Sequence, residues 1–306
     1  MSNQDRQPDQ YRQPLFDLPT DESDQGVLRL GIAGDGDLRW AVADFSRPLE
    51  AMRSRLDLSP TAAVALGRAL AASSLLLRFS TKYPGRLRLE IDGDGPLGRI
   101  YAETDSEGRL RGLVGEPQFP GFDEGRLEIG RAVGDGMMRV TQEFAGRREP
   151  WVSQTKLVDG EIGNDLVHFL LQSQQIRSAA LLSVKPGPAG ILAAGGLLVE
   201  AFPEADDDAV SRLEKNIAAL PAIGELLDGG GSEALLDAAL DGLGREELES
   251  YALSYACDCS RESLLDRLRT LPESDLADIG DDEGKAILEC AYCQGEIVFS
   301  VAELLN

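Results

Sequence analysis

At 306 residues and 42% apolar composition, the chain is long enough for two or three domains with real cores. Its formal net charge of −23 sets an acidic surface against phosphate backbones and argues against nucleic acid as a partner. The first 19 residues hold no apolar stretch of signal-peptide length, and no uninterrupted apolar run approaches the ~20 residues of a membrane span, so a cytoplasmic protein with no membrane partner is expected.

Residues 1–25 are rich in Gln, Asp and Pro and read as a loose arm, with some anchoring at Leu15, Phe16 and Leu18. Leu28, Leu30 and Ile32 then alternate with small or polar residues, as do Leu38, Trp40 and Val42 beyond an Asp-Gly turn, which predicts a β-hairpin. Ser59 and Pro60 form an N-cap and first helical position for a helix over 61–77, apolar nearly all round and therefore buried. Arg86, Arg88 and Glu90 alternate with Leu87, Leu89 and Ile91 in a strand that ends at a Gly93-Asp94-Gly95-Pro96 turn. Further strands are expected at 98–103, 109–114, 137–144 and 151–158, an amphipathic helix at 164–176, and a last strand pair at 179–184 and 190–202. Strands and helices come in blocks rather than in βαβ alternation. The predicted class is α+β: a core domain over 26–203 with antiparallel sheets and packed helices.

The composition shifts at Glu204. Up to Ser250 there are 13 acidic residues against Arg212, Lys215 and Arg245. Val210, Leu213, Ile217 and Leu220 keep helical spacing, as do Leu235, Leu236, Ala239 and Leu240, with Gly229-Gly230-Gly231 breaking the two parts. Residues 204–250 are expected to form an acidic helical linker whose thin apolar stripes fold only when docked on something. Permanent docking and regulated release both satisfy that pattern.

Several other patterns carry no chemistry. Gly280 to Ala286 is one residue short of a phosphate loop and ends in Ala. The Gly-x-Gly pieces at 34–36, 93–95 and 134–136 are spaced as turns. His168, the only histidine, falls in a predicted helix, with no nucleophile elbow elsewhere.

All four cysteines lie in residues 251–306, as Cys257-Asp258-Cys259 and Cys290-Ala291-Tyr292-Cys293. The thirty residues between the pairs leave room for a small helical insert. Four thiolates fill a tetrahedral Zn²⁺ site and leave no position for water, so a closed zinc site on Cys257, Cys259, Cys290 and Cys293 is expected rather than a hydrolytic one. A plain zinc ribbon that only staples its domain is consistent with this spacing. Reduced cysteines at metal spacing suit a reducing cytoplasm.

Cys257 to Glu262 followed by Cys290 to Gly295 resembles the zinc-binding end of the redox-regulated chaperones of the heat-shock protein 33 family, the 33 kDa chaperonins. Gly93-Asp94-Gly95-Pro96-Leu97, Ser173-Gln174-Gln175-Ile176 and Ala193 to Leu198 agree in order and separation, over about residues 26–303. Gln174 departs from the pattern, standing where an acidic residue is expected.

The resemblance implies a holdase without catalytic activity. It would bind unfolded client proteins, be silent when reduced and zinc-bound, and be activated by disulfide formation and zinc release. Oxidised members are expected to dimerise. Disulfides are expected as Cys257–Cys259 and Cys290–Cys293, since sequence neighbours have the highest effective concentration. Two other readings stand beside it: a constitutive structural zinc-ribbon interaction protein, and an oxidoreductase using Cys290 and Cys293 alone.

Overall fold

The alternation over residues 28–42 produces the expected hairpin. In the computed structural model β1 (Gly26–Ala33) and β2 (Leu38–Asp44) pair antiparallel, with Leu28 opposite Ala43 and Leu30 opposite Ala41. A 3-10 turn at Gly34–Gly36 joins them, with Asp35 left-handed at φ 54°, a conformation that a short polar side chain tolerates. The structure describes residues 24–80, 84–122, 126–257, 259–281 and 284–304. The expected arm with Leu15, Phe16 and Leu18 lies outside them.

A short helix, α1 (Ser46–Arg55), follows. Only Pro48, Leu49 and Met52 of it are buried, too few apolar positions to mark it in the sequence. The long apolar helix is α2 (Pro60–Ser80), and the Ser59 Oγ caps it by accepting the Ala62 N–H at 3.1 Å. By length and composition α2 could cross a membrane, but 83% of its most apolar window is buried in the fold.

Around α2 runs one ten-stranded sheet. β3 (Gly85–Gly93), β4 (Ile100–Asp105), β5 (Arg109–Val114), β6 (Gly136–Phe144) and β7 (Trp151–Lys156) form one half. β8 (Ser178–Gly187) and β9 (Gly190–Ala201) join the first hairpin in the other. Residues 245–255 add β10 (Arg245–Tyr255), and the order is β7-β6-β3-β4-β5-β10-β1-β2-β9-β8. Every described pairing is antiparallel except the two-residue contact of β10 with β5. α2 touches strands from both halves, so the sheet wraps its apolar circumference. Two further helices complete this part, α3 (Ile129–Val133) and α4 (Gly163–Gln174). α3 escaped notice at five residues. It explains why Gly93 and Gly95 are glycines: a Cβ there would lie 2.0 Å from the Val133 carbonyl oxygen or 2.4 Å from that of Ala132.

The expected helical linker over 204–250 differs from what forms. α5 (Asp207–Ala218) ends where Pro221 prevents continuation, and α6 (Ile223–Ala239) runs through the three glycines, with only Gly231 leaving helical geometry at φ 63°, ψ −158°. β10 then replaces helix. Glu246, Glu247 and Glu249 hide it, but Tyr251, Leu253 and Tyr255 alternate, and β1 supplies an antiparallel ladder from Gly26–Leu253 to Ala33–Arg245, with one register shift between Leu30 and Gly31. The described residues form two compact units, divided between Tyr255 and Ala256, so residues 204–250 lie in the same unit as 26–203. Within the larger unit, α5 and α6 bury Leu213, Leu227, Leu235, Leu236 and Ala239 against Leu38, Trp40, Val42, Leu197 and Val199 of the sheet.

The smaller unit holds α7 (Arg261–Leu268), α8 (Glu273–Asp278), the antiparallel hairpin β11 (Lys285–Glu289) and β12 (Glu296–Ser300), and α9 (Val301–Leu304). Its core is slight: Leu276, Ala286, Ile297, Phe299 and Leu304 are the fully buried members of its cluster.

Candidate metal centre

The four cysteines come together at two turns. Cys257 and Cys259 precede α7, whose start is fixed by a reciprocal pair: the Ser260 Oγ accepts the Ser263 N–H, and the Ser263 Oγ accepts the Ser260 N–H, each at 3.1 Å. Cys290 and Cys293 lie in the turn between β11 and β12. There the Cys290 carbonyl accepts the N–H of Cys293 (3.3 Å) and of Gln294 (2.6 Å), while the Cys290 N–H donates to the Gly295 carbonyl at 2.9 Å. Gln294 takes φ 52° to close the knuckle. Arg261, the first residue of α7, ties the segment after Cys259 to β12 and α9. Its guanidinium donates to the Val298 carbonyl at 2.7 Å and to Glu303 at 2.6 Å, and lies 4.4 Å over the Phe299 ring. Sequence reasoning gave Arg261 no role, although it stands two residues beyond Cys259.

All four Sγ atoms lie within 4.8 Å of one another, with Cys257–Cys290 at 3.7 Å and Cys259–Cys293 at 3.3 Å. A tetrahedral all-sulfur site with metal–sulfur bonds of ~2.3 Å has sulfur–sulfur edges of about 3.8 Å, so the spacing fits a metal ion. Cys257 and Cys293 are buried, and Cys259 and Cys290 half-buried. Such packing opposes four bare charges. Hydrogen bonds from the Cys257 and Cys293 thiols, aided by the Tyr292 and Cys293 N–H groups, hold Cys290 well below the usual thiol range. The same contact with Cys290 pushes Cys257 up, and burial above all pushes Cys259 up to about 12. Ionising all four thiols together in this cluster therefore needs a cation. Binding a metal here displaces protons.

Gly280 to Ala286 is no phosphate loop: the Asp281 N–H donates to the Lys285 carbonyl at 2.8 Å and the Asp281 carboxylate accepts the Lys285 N–H at 2.9 Å, a turn leading into β11. Residues 282 and 283 lie outside the described set. His168 is a half-buried residue of α4.

A family model described as Hsp33 protein matches residues 27–300. The 33 kDa chaperonin of Thermus thermophilus is 38% identical over 292 residues, covering 91% of this chain and 85% of its own. That of Clostridioides difficile is 34% identical over 284 residues, covering 92% and 97%. The crystal structure of the Hsp33 homologue from Thermotoga maritima superposes with a TM-score of 0.83 at 32% identity, covering 92% of this chain and 96% of that one. The chain belongs to the Hsp33 family.

Proposed function

We propose that this Hsp33-family chaperone is a redox-regulated holdase of the cytoplasm, without enzymatic activity, that binds unfolded proteins under oxidative stress. The convergence of four sulfurs, the chain's whole complement of cysteine, on one closed site carries the reading. Cys257, Cys259, Cys290 and Cys293 would hold one Zn²⁺, which when bound supplies the cation that lets all four thiols ionise and cross-links the two turns. The slight core of the smaller unit makes that cross-link decisive. Structural zinc contributes roughly 10–16 kcal/mol in small zinc peptides, as large as the ~5–15 kcal/mol of a whole ordinary domain.

Peroxide attacks a thiolate to give a sulfenic acid and water, and the neighbouring thiol then closes a disulfide with loss of a second water. Each disulfide removes two electrons and two metal donors, so two equivalents of peroxide convert Cys257–Cys259 and Cys290–Cys293. The smaller unit then loses its cross-link. In this reading α5 and α6 let go of the sheet in turn, and the apolar face over Trp40 and Leu197 becomes available to clients and to a second copy, giving an oxidised homodimer. Neither nucleic acid nor membrane takes part. The alternative, a constitutive zinc-ribbon protein, gives α5 and α6 no reason to dock by thin stripes. The deciding assay follows light scattering of an aggregating client: peroxide-treated protein suppresses it and reduced zinc protein does not. Equal behaviour of the two forms overturns the switch.

A further inference from the structure

The two ends of the ten-stranded sheet are built differently. At one end β8 is guarded. Its pairing with β9 is irregular between Lys185 and Pro186, and a proline has no N–H to offer. The Lys185 Nζ is held by Glu225 at 2.6 Å and Asp228 at 2.7 Å, both on α6. α4 also comes close, since a Cβ on Gly163 would lie 3.9 Å from the Ala180 carbonyl oxygen.

At the other end β7 has neither the proline nor the held lysine, and α4 meets it through a side chain, the Ser153 Oγ donating to the Ser173 Oγ at 3.0 Å. Among the described residues it pairs only with β6, in unbroken register from Gln142–Trp151 to Met137–Lys156. It contains no proline and no bulge. Antiparallel pairing turns the N–H and C=O of every second residue away from the neighbour, so about three residues of β7 present backbone groups to no strand. Trp151 is 39% exposed and Val152 52%. Native edges are commonly blunted by a central lysine, a proline or a bulge; here the one lysine, Lys156, stands at the strand's end.

We propose that β7 captures an extended segment of a non-native polypeptide, which adds antiparallel to its free edge as an eleventh strand, with Trp151 and Val152 gripping alternate apolar side chains. This rests on the chaperone reading and deepens it by naming a client surface. Backbone pairing is indifferent to sequence, which suits a protein that must hold unrelated chains. The charges favour a foreign segment over a second copy of this chain. β7 is preceded by the exposed Arg147 and Arg148 and ends at Lys156, with Glu149 an opposing charge in the loop that leads into the strand; Arg139, which faces Gln154 from β6, is paired with Glu90 at 3.5 Å. Two such edges brought together would oppose like charges, whereas a segment of mixed or acidic character would not. The edge alone gives weak capture, so client binding still waits on the apolar face under α5 and α6.

Hydrogen exchange of the peroxide-treated full-length protein tests this, with and without a reduced, carboxymethylated polypeptide that stays unfolded. Amides of 151–156 should exchange at least tenfold more slowly with client present. The double variant Val152→Lys, Gln154→Lys changes two exposed side chains and should bind the same client at least tenfold more weakly, with unchanged exchange elsewhere in the unliganded protein. Client binding with protection confined to other segments overturns the proposal. So does protection of β7 that rises with protein concentration in the absence of client, since the occupant is then a second copy. If the treated wild-type protein binds no client at all, the chaperone reading fails and the edge proposal falls with it.

Discussion

Leu235 offers a way to loosen the docked helices without touching a cysteine. It is fully buried in α6, in the cluster that includes Trp40 and Leu197. Leu235→Ala should cost about 3 kcal/mol, within the ~2–5 kcal/mol observed for buried leucines. At about 1.4 kcal/mol per factor of ten, the ratio of docked to undocked α6 falls roughly 150-fold. The larger unit should stay folded, because a domain has ~5–15 kcal/mol to lose, and its melting temperature should fall by roughly 6–12 °C. The assay is fluorescence of an apolar dye, together with client light scattering, on reduced variant that still holds its metal. Dye binding and partial client suppression should appear without oxidant. A chain cut at Phe202 is a less direct perturbation, because it also strips β10 from between β1 and β5. A Leu235→Ala protein that melts lower and keeps its metal, yet opens α5 and α6 to exchange without binding dye or client, would refute the idea that these helices mask the active surface.

Other perturbations test the supporting steps. Freshly reduced protein should hold one zinc per chain by metal analysis, and Cys→Ser at 257, 259, 290 or 293 should weaken retention sharply; a chelator should melt the smaller unit while β1–β10 pairing persists by hydrogen exchange. Gly231→Ala should cost about 1–3 kcal/mol in chemical denaturation, since φ 63°, ψ −158° is a region that only glycine adopts freely. The Arg53 guanidinium beside Glu50, with the Ile191 N–H, holds the Glu50 carboxyl below its ordinary range. Its contribution is therefore present above the unfolded value of about 4.3 and lost as pH falls through the lower folded value. The melting-temperature advantage of wild type over Glu50→Gln should shrink between pH 5 and pH 3, and an advantage that grows there would contradict the assignment.

Much of this was legible in the chain because local signals and tertiary packing agreed. The hairpin of β1 and β2, the capped and buried α2, and the strands around Leu87 and Val140 all place apolar residues at the period their element requires. The pairing of the cysteine clusters was visible in count and spacing alone, and the structure brings their sulfurs to one point. β10 was not legible. Its first six residues are charged or exposed, and what makes them a strand is the backbone of β1, two hundred residues earlier in the chain. The break between α5 and α6 was misplaced because three consecutive glycines outweigh one proline by eye, whereas the ring of Pro221 bars a helical bond that glycine only weakens. Arg261 was missed because its partners, the Val298 carbonyl and Glu303, are set by the fold and have no signature nearby in sequence.

The switch itself is tested most directly by one titration. Reduced, zinc-loaded protein is treated with increasing peroxide, and released zinc, disulfides mapped by mass spectrometry, and client suppression are read from the same samples. The account predicts that all three rise together, with Cys257–Cys259 and Cys290–Cys293 as the dominant bridges. Full client suppression while zinc is still bound and all four thiols are free would contradict it.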